Sequence, residues 1–369
     1  MKTEYIIGGI LVVVLGAGGF LLLNASGVPE KISVDAAGDF LAPAQKETRY
    51  VKAPELVAPD GYINTGGKPI TIGEFRGKKV VLIDMWTYSC INCQRTFPYL
   101  REWYAKYKDQ GLEIVAVHTP EFAFEKVQTN VEKAAKEFGL KYPIVLDNEY
   151  MTWNAFGNQY WPRKYLIDID GYIVYDHIGE GAYAETEEAI RRALEERAAR
   201  LDLAMSEVTA AGTPEGVITV EGGKVHSPET YFGAWRNSNF GNGVRSKEGT
   251  QTLSIPANLK PNMFYLGGMW DFEYEYVKND SAGAKILFVY DAKDVYFVAS
   301  ADTPVQIQVT RDGGQPLGGD KGADVNAEGI VTIHEDRLYK IVEGVEYGAH
   351  TLEIEILSPG LEAYTFTFG

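Results

Sequence analysis

The stretch WTYSCINCQRTFPYL, residues 86–100, holds both cysteines of this 369-residue chain, Cys90 and Cys93, in the spacing C-x-x-C. Two sulfurs in one short motif, with none elsewhere, make a dithiol that opens and closes on itself. The same spacing is half of a tetrahedral zinc site, but the other half is missing. The histidines His118, His177, His226, His334 and His350 are scattered singly, and no second Cys or His pair has ligand spacing. A purely structural disulfide is the other bland reading, and closing so small a loop removes little chain entropy. Redox chemistry at the pair is therefore the leading expectation. No metal is expected, and no cofactor other than the redox-active disulfide Cys90–Cys93.

Directly before the motif, residues 79–85 (KVVLIDM) form an apolar run of strand length, as expected where both faces of a sheet are covered. A helix is expected directly after it. Phe97, Leu100, Trp103, Tyr104 and Tyr107 recur there at steps of three and four and define its buried side. Further strands are predicted over 112–117, 144–146, 164–169 and 172–177, the last two joined by an Asp170-Gly171 turn. Helices are predicted over 124–138, with Gly139 as its C-terminal stop, and around Ile190, Leu194, Ala198 and Leu201. Strands alternating with helices in this order mean an α/β sheet with a crossover.

The charge of −16 and the lack of a basic face argue against nucleic acid as a partner, because phosphate binding needs clustered cations. Residues 5–23 carry no charge and are rich in Ile, Val, Leu and Gly. At about 1.5 Å per residue they span about 29 Å of helix, enough for a hydrocarbon core of about 30 Å. The run is longer than a signal-peptide core, and Leu23-Asn24-Ala25 is a poor cleavage site, so an uncleaved anchor is favoured over a signal peptide. Lys2 and the amino terminus weakly place the body outside the cytoplasm, where disulfides are permitted. The expected layout is an anchor or signal over 1–25, a flexible tether over 26–59, an α/β domain over 60–203, a linker over 204–223 and a second domain over 224–369.

Asp84 lies six residues before Cys90, Pro98 lies five after Cys93, and Trp161-Pro162 precedes the KYLIDIDG strand and turn. In this order the residues resemble the thioredoxin fold and, within it, the membrane-anchored TlpA-like and ResA-like extracytoplasmic oxidoreductases. WTYSCINCQRT, VHTPEFAFE (117–125) and EAYTFTFG (362–369) look further like the extracytoplasmic part of DipZ-type proteins. Those couple a CcdA-like membrane domain to a thioredoxin-like domain and a C-terminal β-sandwich similar to carbohydrate-binding modules. This chain has one candidate span in place of the multi-span domain. The resemblance thus implies a separate CcdA- or DsbD-like membrane donor of electrons and protein clients carrying disulfides or dithiols.

A helix N-terminus supplies about half a positive charge and free N–H groups, which favour a thiolate. Cys90 is accordingly the expected nucleophile, and Cys93, one helical turn further in, the resolving thiol. Asp84, beneath the pair, is the expected proton acceptor. A cis-proline loop of Trp161 and Pro162, together with Trp86, is expected to hold the client. The ResA-like branch has a glutamate where Thr96 stands here, so Glu121 is the candidate replacement as proton relay. His118 is expected to be packed or at the surface.

From residue 224 onward, short strands separated by Gly, Asp, Asn and Pro turns imply an all-β, jelly-roll-type sandwich. Its aromatics, Tyr231, Trp235 and Trp270 among them, are either core or a platform for a glycan or client. Two alternatives stay open. One is a thiol peroxidase, because Thr87 lies three before Cys90, although Ile83 stands where that motif needs proline. The other is a glycan-binding surface protein with a vestigial dithiol.

Overall fold

The computed structural model describes residues 40–204, 210 and 212–369. The anchor segment at 5–23 and the first part of the tether lie outside them. Among the described residues no helix is long and apolar enough to cross a membrane.

The first domain is a seven-stranded mixed sheet. Its strands are β1 (Val51–Lys52), β2 (Gly61–Ile63), β3 (Val80–Trp86), β4 (Leu112–His118), β5 (Ile144–Leu146), β6 (Arg163–Ile167) and β7 (Tyr172–Ile178). Their order is β1-β7-β6-β3-β4-β5-β2, with β3, β4 and β5 parallel and the other neighbours antiparallel. The helices are α1 (Pro43–Arg49), α2 (Ile91–Tyr107), α3 (Gln128–Glu137), α4 (Met151–Ala155) and α5 (Tyr183–Arg200). Every residue of β3 and β4 is buried. α2, α3 and α5 cover one face of the sheet, and α4 with residues 53–75 covers the other. Double coverage is why these strands read as unbroken apolar runs rather than alternating ones. Phe97, Leu100, Trp103 and Tyr107 form the buried stripe of α2, as their spacing predicts. Gly139 follows α3 at φ +68°, a left-handed stop that costs glycine nothing. Leu201 departs from expectation: it caps the end of α5 and is exposed.

The second half of the expected tether is docked, not free, which corrects that boundary. β1 pairs with β7, and α1 buries Lys46. The Lys46 ammonium lies 2.5 Å from Asp168 Oδ2, 2.8 Å from Asp170 Oδ2 and 2.5 Å from Glu196 Oε1. Local periodicity could not reveal this, because one cation meets carboxylates more than a hundred residues away. The same three carboxylates have the spacing of a cation site, and the lysine supplies the charge they need. Removing a buried ionic partner costs about 3–5 kcal/mol when the site stays shut. Here α1 can lift away and let the carboxylates hydrate, which caps the loss. Lys46→Met is therefore expected to lower the melting temperature by only about 2–4 °C, with faster amide exchange confined to 43–52. A melting drop twice as large, with exchange spread through the sheet, would contradict this.

The second domain contains β8 (Thr230–Tyr231), β9 (Gly249–Leu253), β10 (Phe264–Phe272), β11 (Val277–Asn279), β12 (Ala284–Ser300), β13 (Val305–Arg311), β14 (Ile330–Ile333), β15 (Arg337–Ile356) and β16 (Glu362–Phe368), all antiparallel. The two layers are not separate sheets. β12 shifts register between Ala292 and Asp294 and again between Val295 and Tyr296, and bulges of this kind bend a strand. Its first half pairs with β10 and its second half with β16, while β11 joins β10 to β16. The pairing thus closes a ring around an aromatic core of Phe232, Phe264, Phe297 and Phe366.

Candidate active site

β3 ends inside the sheet and the chain turns directly into α2, which places Cys90 at the helix N-cap with φ −77° and ψ 114°. The Cys93 backbone N–H donates to Cys90 Sγ at 3.3 Å, so the sulfur takes the place of a capping oxygen. Both sulfurs are free thiols; Cys90 is half-buried and Cys93 fully buried. Burial first, and then the neighbouring Cys90, push the Cys93 thiol well up, with the charge of Asp84 adding to the effect. Cys93 therefore stays protonated until something takes its proton. Thr96, where the related branch has a glutamate, donates its hydroxyl to Cys93 O at 2.8 Å and carries no acid.

Asp84 is fully buried on β3, and burial lifts its carboxyl to about 6. Opposite it in register, on β6, stands Lys164, whose ammonium is 3.8 Å from Asp84 Oδ1. Among the described residues neither side chain has a hydrogen-bond partner. Burial lowers the proton affinity of Lys164, and Asp84 opposes that. The pair can take up a proton at the carboxylate near neutrality, as a base for Cys93 must. Lys164 is not among the site residues expected from the sequence. Its signal was a lysine inside the otherwise apolar KYLI strand, two residues past Pro162.

The Trp161–Pro162 bond is cis. Trp161 does not present a free indole edge. Its Nε1–H donates to Thr119 O at 3.0 Å, and its ring packs on Trp153 at 4.3 Å, leaving the ring half-buried in the wall of the cleft at Cys90. Trp86 is not a client contact: it is wholly buried between Phe97 and His118, because α2 packs over the end of β3. His118 is also fully buried, and burial drops it to about 3, so it stays neutral. Thr87 is buried beside it, 3.4 Å from His118 Nε2.

Two more charged residues, outside the expected set, shape the site. Glu125 is buried and accepts from Ser89 N at 3.2 Å, Ser89 Oγ at 2.7 Å, Glu121 N at 2.6 Å and Phe122 N at 3.0 Å. It pins the loop before Cys90, and burial raises its carboxyl to about 7. Arg95 is 2% exposed. It donates to Asn92 Oδ1 at 3.1 Å and Glu180 Oε1 at 3.0 Å, and lies over the Tyr296 ring of the second domain.

Tyr296 belongs to a shared core. Ile91, between the two cysteines, packs with Phe122 against Tyr296, Val298, Leu338 and Tyr364. Full burial of such a side chain is worth about 1.5–3 kcal/mol, so the motif itself glues the domains together. Glu121 joins the same junction. Its Oε1 accepts from Tyr231 Oη at 2.8 Å and from Arg236 at 2.7 Å. Among the described residues no hydrogen bond links Glu121 to either sulfur. The expected aromatic platform divides accordingly. Trp270 is core, with its Nε1–H on Gly267 O, and Tyr231 faces the first domain beneath Arg236 at 3.6 Å. Trp235 alone is open, 54% exposed and stacked on Tyr274 at 5.2 Å. Alternation along a strand cannot say which face meets a second domain.

A half-buried thiol at a helix N-cap, backed by a buried thiol, a buried acid and a cis-proline, on a sheet of this order, defines a thioredoxin-like domain. Comparison with known proteins narrows the class. Residues 51–194 match the Redoxin family model and residues 227–369 match the model described as "Thioredoxin like C-terminal domain". The chain is 30% identical over 183 residues to thiol-disulfide oxidoreductase ResA of Bacillus anthracis, covering 50% of this chain and 92% of that protein. It therefore belongs to the thioredoxin-like thiol-disulfide oxidoreductases. It is also 41% identical over 320 residues to Protein DipZ of Mycobacterium tuberculosis (strain CDC 1551 / Oshkosh), covering 86% of this chain and 43% of DipZ. The chain thus spans less than half the length of that relative. Among solved structures, the putative thiol:disulfide interchange protein DsbE from Chlorobium tepidum matches at 26% identity and TM-score 0.35, covering 39% of this chain and 96% of that one.

Proposed function

We propose that this chain reduces or isomerises disulfides of protein clients outside the cytoplasm, held at the membrane by residues 5–23. The observation that carries the reading is Cys90 at the mouth of a cleft with the protonated Cys93 directly behind it. Cys90 thiolate attacks one client sulfur, forming a mixed disulfide and releasing the other client sulfur as a thiolate that takes a proton. Cys93 then gives its proton to Asp84 and attacks Cys90. The Cys90–Cys93 disulfide forms and the client leaves as a dithiol, reduced by two electrons. A separate CcdA- or DsbD-like membrane donor would return two electrons and two protons. Ile91 and Asn92, between the cysteines, supply no imidazolium to stabilise the thiolate, so the pair is expected on the reducing side, at about −180 mV or lower. Equilibration of the full chain with glutathione buffers measures that potential, and insulin reduction measures turnover. A protein that leaves insulin intact in the presence of a dithiol donor would overturn the proposal. Trp235 and Tyr274, the exposed stacked pair, are where the second domain would take up a glycan ring or a client aromatic.

A further inference from the structure

Cys90 opens into a cleft of about 500 Å³ whose near wall is the first domain and whose far wall is the second. A client disulfide must enter this cleft to reach the sulfur, so the far wall meets whatever flanks the client cystine. The charged side chains lining it are Arg95, Arg236, Glu121, Glu180 and Glu229. Four of these are already matched: Arg95 with Glu180 at 3.0 Å and Arg236 with Glu121 at 2.7 Å. That leaves three carboxylates against two guanidinium groups; Glu229, the third carboxylate, hydrogen-bonds Tyr231 and shares the charge of Arg236 with Glu121. It has no lysine or arginine within ion-pair range among the described residues, and it remains open to solvent.

Its position is fixed by the fold. Glu229 precedes β8, which is clamped to β16 through the pairs Tyr231–Thr365 and Thr230–Phe366. Burial first, and then the nearby Glu121, lift its carboxyl to about 7 against the Tyr231 hydrogen bond and the Arg236 charge, which lower it, in a cleft with one more carboxylate than guanidinium. The cleft carboxylates do not converge on a three-ligand cation site; the group with that spacing lies elsewhere, around Lys46. The missing positive charge is one a client can bring.

We infer that the cleft selects clients with a lysine or arginine beside the reacting cystine, and that Glu229 is the residue that reads it. This rests on the disulfide-exchange function proposed above. A cationic flank would pair with Glu229, whereas an acidic flank would meet the carboxylates of Glu229 and Glu121 together. Charge complementarity of this kind discriminates chiefly against the wrong partner.

The test uses the full chain and three cystine peptides that differ only in the residue next to one cysteine, lysine, glutamine or glutamate, with kcat/KM measured for each. The wild type is expected to favour the lysine peptide over the glutamate peptide by about tenfold, the ratio given by about 1.4 kcal/mol. Glu229→Gln is expected to collapse that ratio to about twofold or less, and Glu229→Lys to invert it; circular dichroism checks that both variants fold. A wild-type ratio near one overturns the inference. So does a ratio that survives Glu229→Gln, including the case where all three peptides slow equally, which would make Glu229 a proton donor and not a selector. If the wild type reduces none of the peptides, the exchange function itself falls, and the inference with it. Turnover of the glutamine peptide without charge preference overturns the inference alone.

Discussion

Replacing Cys93 with serine is expected to stop multiple turnover by more than about a thousandfold while leaving the first chemical step intact. Cys90 sits at the cleft and Cys93 is fully buried behind it, so only Cys90 can meet a client. Without the resolving thiol the mixed disulfide has no internal nucleophile and waits for an external one. Non-reducing electrophoresis of Cys93→Ser mixed with insulin should show a covalent adduct that dithiothreitol removes. Cys90→Ser should give neither adduct nor turnover. Equal adduct yield from the two variants would mean that the roles of the sulfurs are reversed. The loss is large because turnover needs both sulfurs in sequence, and the second step has no substitute within the site.

Asp84→Asn is expected to slow resolution of the mixed disulfide by about a hundredfold, the lower range for loss of a positioned general base. The pH profile separates a base from a spacer. Only ionised Asp84 can accept the Cys93 proton, and burial holds its carboxyl at about 6. The wild-type rate should therefore climb as pH rises through about 6 and level off once the carboxylate is formed. In the variant that inflection should vanish, leaving a rate that follows hydroxide. Persistence of the inflection in stopped-flow traces would assign it to another group. Lys164 makes a second check. Its ammonium stabilises the carboxylate, so Lys164→Met should move the wild-type inflection upward. Asparagine keeps the shape of Asp84, and a merely structural role would not move the profile.

The strand-motif-helix arrangement around Cys90 was legible because its signals are local. A continuous apolar run means a doubly covered strand, and aromatics at steps of three and four mean a helix stripe. Asp84, Pro98 and Pro162 could be matched one by one because spacing along the chain is preserved in a sheet whose strands are short. The docking of the tether is not legible in the sequence, for the opposite reason. Lys46 has no periodic signal, and its worth lies entirely in carboxylates contributed from the distant β6–β7 turn and from α5. Trp86 and Trp270 were open candidates because indole suits both a core and a binding face, and only packing decides.

From its residues alone this chain determines an α/β domain of strands alternating with helices, a single C-x-x-C dithiol between a strand and a helix, and an all-β second domain. Each of these follows from local periodicity or from spacing within a few dozen residues. Only the tertiary structure decides that Ile91 of the motif is buried against the second domain, that Lys164 stands opposite Asp84, and that Glu229 is a third carboxylate against two arginines in the cleft at Cys90. These juxtapositions join residues separated by long stretches of chain. Burial and charge balance there depend on what folds back against each group, which no spacing along the sequence encodes.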